Sequence, residues 1–471
     1  MTPTLRPYQR EDLNVILGRF RKGDTAAICE WEPGLGKSLL SLAAWSEMLT
    51  ERMLIVCPSV ALVSWKIEIE KWAPNAPVLL LNAGKAISKL RDHHKIVVVS
   101  FDIAKNRQVL DTLRDWIADG FAVVDEAQYL RGPDTQRTAV CYGKGRGLLT
   151  NARRVLLLSG TLIVSWPTDL WTHLARWMPE RITVDGIRLD FEGFRSRYLI
   201  TQEVPIPGAF RKTRTQIRGM RPDMEADLLA RTAGMSVRRT KDDAGLPPLT
   251  WLDVSLELTP KDRKAIDDAL TDNLPPNLRA LANRAQRSDE DAMRFVEALG
   301  EYTELMAVAM RILGVGKAKA VCRLLRERLE NAPDSKGIGV FAVNHAVLDV
   351  IQSELADFGV VRVDGSTPYA RRGAAVDAFQ DPRGPRLFAG QISACGTALT
   401  LTRGDECWFP QLSWTPGDNE QAASRFHRIG QLNPVIAYRP FVPQTLDAPL
   451  MAVLRKKQKS AALLRQQEKA Q

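Results

Sequence analysis

The sequence has few of the features that mark secreted, membrane-spanning or metal-centred proteins. Its six cysteines lie far apart and none forms a C-x-x-C pair, so neither a disulfide framework nor a zinc site is predicted. No apolar run reaches the roughly 20 residues that a membrane helix needs. The first residues lack the basic and then apolar pattern of a secretion signal. The five histidines show no metal-ligand spacing, and we find no tandem repeat or low-complexity tract. These absences favour a globular protein of the reducing cell interior.

The composition that remains is that of an ordinary globular protein with an excess of positive charge. The chain has 471 residues, enough for two to four domains of typical size. Hydrophobic residues make up 45% and charged residues 25% of it, which excludes an intrinsically disordered chain. The formal net charge is +10. Such a charge favours a polyanionic partner, because neutralising phosphates releases condensed counterions.

Short, continuous apolar runs indicate two parallel sheets. Each run has the length of a buried strand, and helical patterns such as 38–49 and 64–72 separate them. The first set lies at 26–29, 54–57, 96–99, 122–124 and 155–158. The second set lies at 339–343, 360–363, 386–389, 406–409 and 435–438. Continuous apolar strands that alternate with helices predict an α/β protein with two lobes, each built on a parallel sheet.

The segment between the two sets reads differently. It begins with a stretch rich in Arg and Trp, the prolines at 247 and 248 break the chain, and residues 251–258 alternate as a half-buried strand would. We therefore expect a first lobe over 1–172, its helical insertion over 173–245, a linker over 246–260, a helical insertion of the second lobe over 261–331, the second lobe over 332–455 and a polar tail over 456–471.

A glycine-rich loop follows the first predicted strand and opens a helix. Residues 32–38 read E-P-G-L-G-K-S. The two glycines permit backbone geometries that let amide N–H groups line a phosphate, and the helix start adds its positive dipole end. Lys37 supplies a positive charge to the phosphates, and the Ser38 hydroxyl can ligate Mg²⁺. The full Walker pattern places a glycine where Trp31 stands, so the shorter G-x-G-K-S form carries this prediction.

Two carboxylates, Asp125 and Glu126, end a later apolar strand. Taken alone, such a pair is as often a solvated turn, but here a phosphate-binding loop precedes it in the same predicted sheet. Asp125 is predicted to hold Mg²⁺ through water, and Glu126 to orient and deprotonate the attacking water.

A series of sequence blocks, in the right order over residues 5–450, resembles the Swi/Snf-type ATPases of helicase superfamily two. The W-T-P-G form at 414–417 resembles the annealing-helicase branch of that group. The blocks are 5–9 (L-R-P-Y-Q), 34–38 (G-L-G-K-S), 58–72, 100–102 (S-F-D), 125–128 (D-E-A-Q), 159–161 (S-G-T), 363–366 (V-D-G-S), 394–402, 414–418 and 421–431.

Residues 421–431, Q-A-A-S-R-F-H-R-I-G-Q, form the most specific block. Arg425 and Arg428 lie three residues apart, so on a helix they share a face. A planar, bidentate guanidinium suits the γ-phosphate better than an ammonium group, and the pair is predicted to supply arginine fingers. Ser424 stands where the family usually has aspartate, which leaves the bond of that aspartate unassigned.

The resemblance implies two RecA-like lobes that bind ATP and Mg²⁺ between them. It implies that Gln9 reads the adenine edge while Tyr8 or Arg6 packs near the base. The predicted catalytic residues are Lys37, Asp125, Glu126, Arg425 and Arg428. The predicted nucleotide contacts are Arg6, Tyr8, Gln9, Gly34, Leu35, Gly36, Lys37, Ser38, Gly396 and Gln421, and the predicted Mg²⁺ ligands are Ser38 and Asp125.

The predicted function is a DNA-dependent ATPase that moves along duplex or branched DNA, with strand annealing or fork remodelling as a further expectation. Two alternatives stay open: an ATP-regulated clamp on nucleic acid, and a helicase-like enzyme whose track is RNA. We expect a monomeric motor without a membrane partner; protein partners cannot be read from the sequence. Because no further module is visible beside the motor, a cytoplasmic bacterial or viral enzyme of DNA repair, replication or defence is expected.

Three basic clusters are candidate contacts to DNA phosphates, with a solvated surface as the equal alternative. They are the runs at 211–214, 238–241 and 455–457. Several tryptophans, Trp65 among them, are predicted to pack helices against the sheets.

Overall fold

The chain folds into two compact α/β units that divide between Ala244 and Gly245. The structure, a computed structural model, describes residues 5–164, 166–205, 213–273, 275–285, 303–331, 336–395 and 399–443, with isolated positions between 291 and 298 and between 445 and 454. Within these ranges no helix is both long and apolar enough to cross a membrane. Each unit has its own parallel sheet and buried core, which confirms the predicted fold class.

A seven-stranded parallel sheet forms the centre of the first unit. The strands of this unit are β1 (Ala26–Trp31), β2 (Met53–Cys57), β3 (Val78–Leu81), β4 (Ile96–Ser100), β5 (Phe121–Val124), β6 (Arg154–Ser159), β7 (Thr183–Val184), β8 (Ile187–Arg188), β9 (Leu199–Pro205), β10 (Thr213–Met220) and β11 (Ser236–Arg239). The sheet has the strand order β11-β1-β6-β5-β2-β4-β3. All residues of β1, β2, β4 and β5 are buried, which explains why their sequences are continuous apolar runs and not alternating ones.

The helices of the first unit begin where the sequence offers capping groups. The side chains of Asn106, Thr135 and Asp190 each accept a hydrogen bond from the backbone N–H three residues on, which satisfies a donor that has no partner within the helix. The helices are α1 (Pro7–Arg21), α2 (Lys37–Met48), α3 (Leu62–Trp72), α4 (Arg107–Trp116), α5 (Gln136–Tyr142), α6 (Trp171–Trp177), α7 (Phe191–Tyr198) and α8 (Glu225–Thr232).

The segment 173–245 differs from the helical insertion that we expected. Besides helices it contains the antiparallel hairpin of β9 and β10, and its last strand, β11, pairs in parallel with β1 at one edge of the central sheet. The sequence of β11, S-V-R-R, has no strand signal of its own. It is held there because its arginine side chains bond to carboxylates of the core, as described below. The domain boundaries drawn from the sequence remain predictions.

A six-stranded parallel sheet forms the centre of the second unit, with the strand order β12-β17-β16-β13-β15-β14. Its strands are β12 (Leu249–Ser255), β13 (Ile338–Ala342), β14 (Val360–Val363), β15 (Leu387–Gln391), β16 (Glu406–Trp408) and β17 (Val435–Phe441). Its helices are α9 (Pro260–Asn273), α10 (Pro276–Ala285), α11 (Thr303–Asn331), α12 (His345–Glu354), α13 (Tyr369–Gln380) and α14 (Pro416–Ala423).

Part of the predicted linker 246–260 belongs to this second sheet. β12 pairs with β17 along its whole length, from Leu249 with Val435 to Ser255 with Phe441. An edge strand has only one strand neighbour, so part of its surface stays exposed. This explains why residues 251–258 alternate in the sequence, whereas the central strands do not.

Candidate functional site

The glycine-rich loop joins β1 to α2 as the sequence predicted. Gly34 and Gly36 have φ angles of +94° and +92°, in the left-handed region that favours glycine. A Cβ at Gly36 would lie 2.6 Å from Nε2 of Gln9, so a side chain at this position would collide with α1. The first amide N–H groups of α2, like those of any helix, have no carbonyl partner within the helix. Such groups can bind an anion.

Lys37 is the first residue of α2, and its ammonium group folds back over the loop. Nζ donates a hydrogen bond to the carbonyl oxygen of Trp31 at 2.7 Å. Among the described residues, the Lys37 side chain makes this one hydrogen bond. Ser38 follows and is half-buried. The first two residues of α2 therefore carry an ammonium and a hydroxyl group.

Side chains of α1 hold the loop from the other side. The Tyr8 hydroxyl and Nε2 of Gln9 both donate to the carbonyl oxygen of Leu35, at 2.8 and 2.9 Å. The backbone N–H of Arg6 donates to Oε1 of Gln9 at 3.0 Å. Gln9 is only 2% exposed, so its amide is occupied mainly with the loop itself. The predicted contacts of Arg6, Tyr8 and Gln9 with an adenine base remain predictions.

The two carboxylates lie at the end of β5, two strands away from the loop. Oδ1 of Asp125 accepts from the backbone N–H of Glu126 at 3.0 Å, and Oδ2 accepts from the indole Nε1 of Trp65 at 2.8 Å. Burial, followed by the charge of Glu126, raises the pKa of Asp125 to about 6, although Trp65 and Lys37 act in the opposite direction. Glu126 has a φ of +53°, an uncommon angle for a residue with a side chain.

The strand between β1, which precedes the glycine-rich loop, and β5, which precedes the two carboxylates, supplies a third motif. β6 lies between β1 and β5 in the sheet, and its last residue is Ser159. Nε2 of Gln128 donates to Oε2 of Glu126 at 2.5 Å, the Ser159 hydroxyl lies 2.7 Å from Oε1 of Gln128, and the N–H of Thr161 donates to Oγ of Ser159 at 3.0 Å. The Ser159 hydroxyl also lies 2.6 Å from the carbonyl oxygen of Thr161, and its one proton can be donated to only one of these two acceptors. Through Gln128 and Ser159, a network of polar contacts connects the carboxylate of Glu126 to the segment after β6.

Trp65 is a site residue that sequence reasoning missed. It was assigned to packing, and it is indeed 2% exposed, but its N–H is the side-chain donor to the half-buried Asp125. The two residues are 60 positions apart in the chain, so no local sequence pattern predicts their contact. A signal did exist: a buried tryptophan usually finds an acceptor for its N–H.

The second unit carries Arg425 and Arg428 in a position that corrects one expectation. α14 ends at Ala423, and both arginines lie in the turns that follow it, so they do not share a helix face. The N–H groups of Arg425 and Phe426 bond to carbonyls three residues back, both at 3.1 Å, which tightens the chain out of the α-helical path. Arg425 is 2% exposed, whereas Arg428 is half-buried.

The amide of Gln431 holds this arginine segment in place. Nε2 donates to the carbonyl oxygens of Gly404 at 2.7 Å and Phe426 at 3.1 Å, and Oε1 accepts from the N–H groups of Leu432 and Asn433 at 2.9 and 3.0 Å. Among the described residues, the guanidinium of Arg428 makes one long hydrogen bond, 3.4 Å from Nη1 to the hydroxyl of Thr400. The segment is thus held by Gln431 while the Arg428 side chain is loosely bound.

The remaining predicted site residues are Gln421, Gly396 and the two predicted Mg²⁺ ligands. Gln421 is on α14, and its carbonyl oxygen accepts a hydrogen bond from the Ser424 hydroxyl at 2.7 Å. Gly396 lies outside the described residues. Among the residues that the structure describes, no group of three or more His, Cys, Asp or Glu side chains could hold a metal ion, and the predicted roles of Ser38 and Asp125 as Mg²⁺ ligands remain predictions.

Two arginines of the basic cluster at 238–241 form ion pairs with carboxylates of the first unit. Nη2 of Arg238 lies 3.4 Å from Oε1 of Glu30, which is 3% exposed, and Arg239 forms ion pairs with Glu11 and Asp12. Neither of the two sequence interpretations, a DNA contact or a solvated surface, describes these two arginines. The clusters at 211–214 and 455–457 lie partly or wholly outside the described residues.

Comparison with known families decides the identity that these motifs indicate. The model of the SNF2-related domain matches residues 8–304 of the chain, a range that includes the loop, the carboxylates and the whole first sheet. The chain belongs to the SNF2-related domain family. The resemblance read from the sequence is therefore confirmed, and membership of this ATPase family implies that the chain binds a nucleotide.

Individual relatives match almost the whole chain. The SWI/SNF-related matrix-associated actin-dependent regulator of chromatin subfamily A-like protein 1 of Drosophila melanogaster is 26% identical over 96% of this chain and 55% of its own length. The DNA annealing helicase and endonuclease ZRANB3 of Mus musculus is 27% identical over 96% of this chain and 40% of its own length. The chain thus spans about half the length of these curated relatives.

A solved structure, the SWI2/SNF2 ATPase core of Sulfolobus solfataricus in complex with double-stranded DNA, is similar over 94% of this chain and 88% of its own, with 19% identity and a TM-score of 0.44.

The expected bacterial or viral cytoplasmic location is wrong. The curated relatives that match 96–97% of the chain are chromatin and DNA-annealing proteins of animals and a plant, which point to a nuclear context instead. The expectation rested on the missing signals for secretion and the missing additional modules, and neither absence distinguishes between the interior compartments of a cell.

Proposed function

We propose that the chain is a DNA-dependent ATPase that couples hydrolysis to movement along duplex DNA. The observation that carries the proposal is the meeting of three motif loops at the carboxyl ends of β1, β6 and β5, which are adjacent strands of one parallel sheet. In such sheets ligands bind at the carboxyl ends of the strands. The lysine, the carboxylate pair and the bonded Ser159 segment together have the chemistry of phosphoryl transfer.

Each group of the first unit has a role in this proposal. The free amide groups at the start of α2 and the ammonium of Lys37 bind the β- and γ-phosphates of ATP, for which Lys37 leaves the carbonyl of Trp31. Ser38 and Asp125 would hold Mg²⁺ together with phosphate oxygens and water, because Mg²⁺ takes an octahedral set of oxygen ligands and usually keeps several waters. When bound, the metal neutralises charge that builds up on the phosphates.

Glu126 is the proposed base that orients and deprotonates the attacking water. Its hydrogen bond from Gln128, which continues to Ser159, keeps the carboxylate aligned and connects it to the segment after β6. Any movement of that segment on hydrolysis reaches Glu126 through two short bonds. This gives a physical path by which the chemical step and the conformation of the first unit influence each other.

Arg425 and Arg428 are proposed to reach the γ-phosphate during the catalytic cycle. Guanidinium groups stabilise the charge that spreads over the phosphate oxygens in the transition state. The single long hydrogen bond of Arg428 within the described residues supports this role, because little has to be broken before the side chain can bind a new anion.

DNA is the proposed track, and it is proposed that the motor works as a monomer. The net charge of +10 favours a polyanion, and two relatives carry DNA or chromatin in their names. The curated relatives are about twice as long as this chain, so strand annealing and fork remodelling are the part of the proposal that the chain alone has to be tested for.

The decisive experiment is an ATPase assay of the purified chain with single-stranded, duplex and forked DNA and with duplex RNA of equal length. We expect duplex or forked DNA to stimulate turnover most, and Lys37→Ala to abolish it. Translocation is measured by displacement of a triplex-forming strand and annealing by closure of a DNA bubble. Turnover by Lys37→Ala contradicts the site; stimulation by RNA alone contradicts the track; and hydrolysis without displacement or annealing indicates a clamp.

A further inference from the structure

A chain of polar contacts, with the Trp31–Asp12 bond buried at its centre, connects the edge strand β11 to the base of the glycine-rich loop. Arg239 on β11 approaches the Asp12 carboxylate with Nε at 3.0 Å from Oδ2 and Nη2 at 2.6 Å from Oδ1. The same Oδ2 atom accepts a hydrogen bond from the indole Nε1 of Trp31 at 2.8 Å. Trp31 is the last residue of β1, and its carbonyl oxygen accepts the ammonium of Lys37.

The Asp12 carboxylate and the Trp31 indole lie away from water, while the Arg239 guanidinium that pairs with Asp12 is 23% exposed. Trp31 is 0% exposed and Asp12 is 4% exposed. A buried carboxylate is stable only when it is paired and hydrogen-bonded, and here a bidentate guanidinium and an indole N–H satisfy it. The pairing with Asp12 and Glu11 raises the pKa of Arg239, which therefore stays charged. Removal of one partner leaves the other uncompensated, so the three side chains act as one unit.

The backbone of the loop is joined to β11 on the next residue as well. The N–H of Glu32 donates to the carbonyl oxygen of Arg239 at 3.0 Å, and a carboxylate oxygen of Glu32 accepts from the N–H of Lys241 at 2.9 Å. Trp31, the residue before the loop, and Glu32, the first residue of the loop, are therefore both connected to β11, by side-chain and by main-chain hydrogen bonds.

Trp31 also explains the departure from the full Walker pattern. That pattern has glycine at this position, where the backbone needs freedom. Here a large side chain occupies the position, and its edge contact with Tyr8 (ring centroids 5.4 Å apart) and its bond to Asp12 determine its orientation. The conformation of the loop base is thus set by side-chain bonding and not by a flexible residue.

We propose that Asp12 and Arg239 are positioning residues of the nucleotide site, which act through Trp31 on the loop and on Lys37. The inference rests on the proposed ATPase function; it adds Asp12, which no motif of the sequence indicated, and gives Arg239 a role other than the DNA contact considered for its basic cluster. They touch neither nucleotide nor metal. They hold the carbonyl and amide groups of the loop in the geometry that receives the phosphates, so their loss weakens ATP binding more than the chemical step.

The test compares Asp12→Asn, Arg239→Gln and the double variant with the wild type in DNA-stimulated ATPase assays over a range of ATP concentrations. We expect each single variant to raise KM about tenfold and to change kcat less than about threefold. The double variant is expected to be no worse than the worse single one, because the two residues belong to one interacting unit. Arg239→Lys, which keeps the charge but not the fork, should recover part of the loss.

Two additions separate positioning from general stability. Arg231→Gln is the matched control: Arg231 is as exposed as Arg239, at 23%, and pairs with Asp227 in the same unit. It should lower the melting temperature by a similar amount but leave KM unchanged. Trp31→Phe keeps most of the ring volume and removes the N–H, and it should raise KM without unfolding the protein, as measured also by binding of a fluorescent ATP analogue.

Equal KM values for the wild type and the Asp12, Arg239 and Trp31 variants overturn the inference and leave the proposed function standing, provided that the wild type hydrolyses ATP and Lys37→Ala does not. Strictly additive effects of Asp12→Asn and Arg239→Gln also overturn it. A wild type without ATPase activity overturns the proposed function itself.

Discussion

The two units present the side chains that we propose as functional in different ways, although each is built on a parallel sheet. In the first unit the functional groups bond to one another: Glu126 reaches Ser159 through Gln128, and Trp65 bonds to Asp125. In the second unit, the amide of Gln431 holds the backbone of the arginine segment, and Arg428 makes one long side-chain bond within the described residues.

This difference corresponds to two kinds of functional group: groups that are in place before the reaction and groups that arrive during it. Groups that bind and activate have to be pre-organised before the reaction, and mutual hydrogen bonds in a buried site provide this. A group that arrives during the cycle has to be available, and a firm backbone with a loosely bound guanidinium provides that. A substitution in one motif of the first unit should therefore also affect the other motifs of that unit. A substitution in the second unit should affect either catalysis or local stability, but not both.

Removal of Arg428 gives the largest expected effect and tests the second half of this comparison. Arg428→Ala should reduce kcat about 10³- to 10⁵-fold and leave ATP binding nearly unchanged, because the guanidinium acts on transition-state charge. Single-turnover hydrolysis and binding of a fluorescent ATP analogue measure the two quantities. Arg326→Ala, which removes an exposed arginine paired with Asp357 in the same unit, is the control. Wild-type turnover of Arg428→Ala contradicts the assigned role.

Replacement of the proposed base comes next and tests the first half. Glu126→Gln should lower kcat about 10²- to 10⁴-fold, because the amide cannot accept a proton from water. Gln128→Ala should lower it less, and the double variant should be no worse than Glu126→Gln alone if the two residues form one functional chain. Steady-state ATPase rates measure this, with Glu47→Gln on α2 as the control. Additive losses indicate that Gln128 acts independently of Glu126.

Gln431→Ala tests whether the arginine segment depends on a single amide. Gln431 is 5% exposed and bonds several backbone groups, so its loss leaves buried donors and acceptors unsatisfied. We expect the free energy of unfolding of the second unit to fall by about 3 kcal/mol. Hydrogen exchange measured by mass spectrometry reads this separately for each unit. The exposed Gln352 provides the control, Gln352→Ala, and unchanged protection around Gly404 and Phe426 in Gln431→Ala contradicts the assigned role.

The sequence predicted the parts of this molecule that depend on local patterns. The two parallel sheets follow from continuous apolar runs, and the loop before Lys37 follows from glycines placed between a strand and a helix. The bond from Trp65 to Asp125 and the one from Arg239 to Asp12 were missed, because strand order and side-chain direction decide them. The helical position of Arg428 was wrong because hydrogen bonds over three residues, and not the spacing of arginines, determine where α14 ends.

The smallest expected effect is a pH dependence confined to the first unit. His173 on α6 is 1% exposed; its Nδ1 lies 2.9 Å from the Tyr142 hydroxyl, and its Nε2 has no partner among the described residues. Burial lowers the pKa of His173 from 6.5 to about 4. Between these values the unfolded chain binds the proton and the folded one does not, so stability falls as the pH falls.

From pH 6.5 to pH 5 this group should lower the stability of the first unit by about 1.5 kcal/mol, and the second unit should lose nothing through it. The raised pKa of Asp125 acts in the opposite direction over the same range, so the contribution of His173 is the difference in slope between the wild type and His173→Phe. Hydrogen exchange of peptides from β6 and β15, corrected for the pH dependence of intrinsic exchange, measures the two units side by side. His173→Phe should remove this part of the slope, because the side chain can no longer take up a proton on unfolding. If the slope persists in that variant, other groups carry the acid sensitivity of the first unit. If β15 loses protection together with β6, the two units do not respond to pH independently.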